Sequence, residues 1–137
     1  MLWLIGKWSG SPESASRKKL VLAACECARL ALPHVKQGET RPLKAIETVE
    51  AWARGENRVT LEDVRKARSA AYAAYTADAA AYTAYAAAYA ADAAYAAAAA
   101  YAAAAAAYPY AADARIKILS RCSDIVRKHY PEPPEKP

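Results

Sequence analysis

Apolar positions recur at helical spacing along most of this chain, and no alternating run of β-branched residues suggests a strand anywhere. Ser11, Pro12 and Glu13 read as a helix start, serine capping and proline at the first helical position. From there Leu20, Ala24, Cys27, Ala28, Ala31 and Val35 fall on one arc, with Glu26 and Arg29 opposite. Pro33 is expected to stop or kink this helix near its end.

The next segment, TRPLKAIETVEAWARGE, reads as a helix of about four turns. Thr40 is the expected cap and Pro42 sits in the first turn. Arg54 suits the negative end of the dipole, and Gly55 is placed for a left-handed stop. Ala45, Ile46, Val49, Trp52 and Ala53 share the side predicted to be buried. Thr60, followed by Leu61, Glu62 and Asp63, begins a third helix with acids in its first turn.

From Leu61 to Tyr108 there is neither glycine nor proline. A continuous helix of that length would reach about 72 Å at about 1.5 Å per residue, whereas a compact chain of this size is about 37 Å across. A break is therefore expected, placed between Asp78 and Asp92, where aspartate and threonine can cap. Pro109 ends the tract. In the last helix Ile116, Ile118, Leu119, Cys122, Ile125 and Val126 are expected to form the apolar stripe, with Lys117, Arg121, Asp124 and Lys128 facing water. The whole reads as a single all-α domain over residues 1–130, a bundle of about five or six helices, with a Pro-rich mobile tail at 131–137.

Composition changes this picture mainly through alanine. The chain holds 39 alanines in 137 residues, so its core must be thin in large side chains. Within the alanine tract, Tyr75, Tyr82 and Tyr89 are seven apart, as are Asp78, Tyr85 and Asp92. The two series interleave in a 3-4 pattern down one side of a helix. As core, these rings would fill the space that alanine leaves on neighbouring helices. As surface, Tyr75, Asp78, Tyr82, Tyr85, Tyr89 and Asp92 would form a recognition face, since tyrosine is cheap to order and common in binding hot spots. The reading favours most rings pointing inward with the aspartates at the edge, and it keeps these six as the candidate binding residues. Ice binding is set aside, because only Thr76 and Thr83 are available and bulky rings flank them.

The net charge of +5 is uneven, with residues 69–114 holding three acids and no base. Elsewhere the basic residues interleave with glutamates as on a solvated face, so nucleic acid is not the expected partner. The uncharged stretch 93–112 lacks leucine, isoleucine, valine and phenylalanine, so a membrane span is not expected. The opening MLWLIGKW is too short for a signal-peptide core, and Cys25, Cys27 and Cys122 are expected as reduced core residues in a cytoplasmic protein.

No metal, cofactor or catalytic residue is expected. Cys25 and Cys27 point about 200° apart on a helix, and no CxxC or histidine pair supplies further ligands. There is no glycine-rich phosphate loop and no nucleophile beside a base. His34 reads as a packing residue and His129 as a favourable charge in the last helical turn.

The pieces AACECARLALPHV, ETRPLKAIETVEAWARGE and ADARIKILSRCSDIVRKHYP, with the alanine tract between the last two, resemble the immunity proteins of bacterial polymorphic-toxin systems, an alanine-rich all-helical family also met in phage and prophage genomes. The resemblance runs from about residue 18 to 131 and is most specific from Arg41-Pro42 through Ala45-Ile46 to Trp52-Ala53-Arg54-Gly55, and around Cys122 and Ile125-Val126-Arg127. It implies a small cytosolic, non-enzymatic protein that blocks a toxin by binding it. The alternatives are a phage or prophage accessory protein acting on a host enzyme or nucleic acid, and a structural helical protein that self-associates through its alanine faces.

Overall fold

The computed structural model describes residue 11 and residues 13–56, 58–75 and 112–132. Among these there are four α-helices and one 3-10 turn, and no strand. The helices are α1 (Ala15–Arg29), α2 (Arg41–Arg54), α3 (Leu61–Tyr75) and α4 (Ala112–His129), with the turn at Leu32–His34. The architecture is all-α, as expected, with four helices in the described part where five or six were expected for the whole chain. The break expected between Asp78 and Asp92 lies outside the described residues, as does the tail from residue 133 onward.

Local chemistry sets most of the helix ends. Ser14 caps α1, its hydroxyl accepting the Arg17 N–H at 3.2 Å. The expected cap, Ser11, instead closes a turn before the helix, where its carbonyl accepts the Ser14 N–H at 3.0 Å. Pro33 does stop α1: it has no N–H to offer, and its ring would meet the carbonyl of Arg29 in a continuing helix. The chain leaves α1 after Arg29 and turns through the 3-10 segment. His34 is exposed in that turn, so it is not the packing residue expected.

Thr40 stands at the cap position of α2, but its side chain makes no capping bond. Glu39 takes that task. Its carboxylate accepts the Arg41 N–H at 3.0 Å and the Arg41 Nε–H at 2.8 Å, and these bonds hold it at about 2, below the usual carboxylate range. At the other end Gly55 adopts φ +75°, the left-handed stop that a side chain resists. Thr60 and Asp63 cap α3 reciprocally. Asp63 N–H donates to the Thr60 hydroxyl at 3.2 Å, and the Asp63 carboxylate accepts the Thr60 N–H at 2.8 Å.

α2 packs against both α1 and α3, while α4 packs against α1. The main core joins Leu20, Val21, Ala24, Cys25 and Ala28 of α1 to Ala45, Ile46, Val49, Trp52 and Ala53 of α2 and to Val64 and Ala71 of α3. A second, smaller cluster holds Cys27 of α1 against Ile118 and Cys122 of α4, with Leu30 and Ile125 beside it. α1 is thus covered on two sides. Its Ala23, Ala24 and Ala28 are fully buried, as is Ala31 just beyond its end, and such small side chains let helices approach closely. The buried side of α2 is the one read from the sequence. Ala24, Cys27, Ala28 and Ala31 of the α1 arc are buried as expected, and Val35 is half-buried.

The stripe of α4 is narrower than expected. Ile118, Cys122 and Val126 are buried and Ile125 is half-buried, but Ile116 is 74% exposed and Leu119 44%. For Ile116 the reason is angular: it lies two positions before Ile118, about 200° around the helix, and cannot share its face.

Candidate interaction surface

The polar groups bridging the helices decide which surface is left for function. Glu50 of α2 is almost fully buried, yet it is fully served. Arg29 of α1 grips its carboxylate with Nε and Nη2, each at 2.8 Å, and Arg54 one helical turn on adds a contact at 3.3 Å. The hydrogen bonds from Arg29 hold the Glu50 carboxyl below its usual range against the opposing effect of burial, and they raise Arg29 in turn. A carboxyl kept ionised by two guanidinium groups is a poor proton donor near neutrality. It pins α1 to α2.

A second group fastens the end of α4 to α1. His129 Nε2 lies 2.8 Å from Glu26 Oε1, and Lys128 Nζ lies 3.4 Å from both oxygens of the same carboxylate. The Tyr130 hydroxyl donates to the Ser16 carbonyl at 3.0 Å, and Lys19 Nζ sits 5.0 Å from the centre of the Tyr130 ring. Burial pushes the Tyr130 hydroxyl up to about 12, so it remains a donor across the ordinary pH range. His129 occupies the last turn of α4, as the sequence suggested.

The three thiols are free and buried, as expected of small core residues. Among the described residues no three or more of His, Cys, Asp and Glu are grouped so as to hold a metal ion. No helix of the described residues is long and apolar enough to cross a membrane.

Of the six candidate binding residues, Asp78, Tyr82, Tyr85, Tyr89 and Asp92 lie outside the described residues. Tyr75 closes α3, and its side chain is likewise outside them. The described surface offers a different feature. Ile116 and Leu119 stand one helical turn apart on α4, both exposed, while the exposed Lys117 and Arg121, each two positions from Leu119, lie on another side of the helix. Counting every large apolar residue of α4 as core concealed this strip. The signal that reveals its first residue is the angular distance of Ile116 from Ile118 and Cys122.

Two adjacent apolar side chains on a solvated helix suit contact with another macromolecule better than chemistry on a small one. A family model described as "Imm-5 like putative immunity protein" matches residues 10–129. No curated protein and no solved structure matches the chain. The matched stretch takes in all four described helices and the two groups of ion pairs that bind α1 to α2 and to α4. By that match the chain belongs to the Imm-5 like family of immunity proteins.

Proposed function

We propose that this protein neutralises a toxin by binding it, with no catalytic activity of its own. The family match over residues 10–129 carries this reading. The bound and ionised state of the buried Glu50 agrees with it, since that carboxyl serves packing. The proposed compartment is the cytoplasm, where reduced cysteines are the ordinary state.

The proposed contact is the outward strip of α4. Ile116 and Leu119 would enter an apolar depression on the toxin.

The test is co-expression with a toxin domain found encoded beside this gene, with growth and co-purification as readouts. Protection and a stable complex are expected, weakened by Ile116→Asp with Leu119→Asp while the thermal melt stays in place. Growth arrest despite soluble expression of this chain, with no complex, would refute the reading. Full protection by the doubly substituted chain would remove the α4 strip as the contact.

A further inference from the structure

We propose that Cys27 and Cys122 form a reversible disulfide that locks α4 onto α1. The two residues are 95 positions apart in sequence, on different helices, yet they share one small cluster with Ile118 and have exposures of 0% and 3%. Their side chains are hydrogen-bonded to each other. Cys25, two positions from Cys27, belongs to the main core on another side of α1 and is the natural control.

The pair is chemically asymmetric. The Cys27 S–H donates to the Cys122 sulfur, which lowers Cys122 and raises Cys27, and the adjacent positive charge of Arg121 lowers Cys122 further against burial. Burial pushes Cys25 up, and no sulfur partner offsets it. Cys122 is therefore the attacking sulfur.

The oxidant is a low-molecular-weight disulfide. The Cys122 thiolate attacks one of its sulfurs, breaking that S–S bond and releasing one small thiolate, which takes up a proton. Cys27 then loses its proton to solvent and attacks the Cys122 sulfur of the mixed disulfide, displacing the second small thiol. Two protein S–H bonds become one S–S bond, and one small disulfide becomes two thiols. Because both sulfurs sit under α4, the first attack proceeds through a local opening of that helix. Closing the bond then ties that opening shut.

The full chain is incubated, folded, in glutathione buffers running from reducing to oxidising, then quenched by alkylation. Peptide mapping is expected to find Cys27 joined to Cys122 within one molecule, with Cys25 alkylated. The cross-link should persist in Cys25→Ser and disappear in Cys122→Ser. The thermal midpoint of the oxidised chain should rise by on the order of 10 °C, since the bond closes a long loop, and return on adding dithiothreitol. Absence of this cross-link at every ratio overturns the proposal, and so does a cross-link only between molecules, through Cys25, or only in urea. The wild-type map decides the matter even where a serine variant fails to fold.

Discussion

Removing Arg29 should cost more stability than removing the carboxylate it binds, although both substitutions break the same pair. The asymmetry follows from where each charge sits. The Glu50 side chain is 7% exposed, while those of Arg29 and Arg54 are 39% and 55% exposed. In Glu50→Gln the two guanidinium groups return to water they already touch, and glutamine keeps an acceptor, so a loss of about 1 kcal/mol is expected. In Arg29→Ala a buried carboxylate keeps only the Arg54 contact at 3.3 Å. Stranding one member of a buried pair costs about 3–5 kcal/mol. Here the carboxylate has an escape, because it can protonate, which near pH 7 costs about 3.7 kcal/mol from an ordinary glutamate value of about 4.3. With Arg54 offsetting part of this, Arg29→Ala should lose about 2–4 kcal/mol, a fall in melting midpoint on the order of 10 °C for a chain of this size. Thermal and urea melts followed by far-ultraviolet circular dichroism measure both variants. A pH series adds a second check, since the Arg29→Ala deficit should shrink as acid neutralises the stranded carboxylate. Equal losses for the two variants, or a larger loss for Glu50→Gln, would falsify the assignment of Glu50 as the buried partner that needs its counter-charge.

In the wild type the sign is opposite. Glu50, Glu39 and Asp63 are all lowered in the folded state, by hydrogen bonds from Arg29, Arg41 and Thr60 respectively, so their stabilisation is complete above the ordinary carboxylate range, about 4, and is lost as pH falls through the folded values. Acid melts should show this loss, with a shallower slope in Glu50→Gln; an unchanged slope counts against the linkage. Gly55→Ala should cost about 1 kcal/mol through its positive φ alone, because a Cβ there meets nothing within 4 Å, and Gly55→Asn should cost less. A much larger loss would point to a clash that the geometry lacks. Ile116→Asp and Leu119→Asp should each leave stability within about 0.5 kcal/mol, as expected of exposed positions, and a melt lowered well beyond that would place these residues in a core.

What could be read from the sequence was the chemistry that acts over a few residues. Pro33 ends α1, Gly55 ends α2 and Thr60 with Asp63 begins α3, because each device works through bonds within one helical turn. The buried side of α2 was legible for a related reason, since Ile46, Val49 and Trp52 are large enough to mark a face. Glu50 was not legible, because a glutamate reads as solvated until Arg29, 21 positions away, is brought to it. Ile116 reads as core from hydrophobicity, although angle sets it apart from Ile118 and Cys122 on α4. The Tyr and Asp series that dominated the sequence lies almost wholly outside the described residues, so the α4 strip carries the proposed contact.

α1 explains why its own pattern was the hardest to read. A helix with one buried arc shows a polar back, but α1 is covered by α2 on one side and α4 on another. Its residues must therefore be apolar at positions two apart, and they must stay small so that both neighbours come close. Cys25 and Cys27 meet that demand, one sulfur in each core. About 200° of separation, which argues against their holding one metal ion together, is what lets them serve two interfaces. Enlarging Ala23, Ala24 or Ala28 to leucine should then be costly at every position, about 1–3 kcal/mol or more, because none has an open side into which the chain can relax.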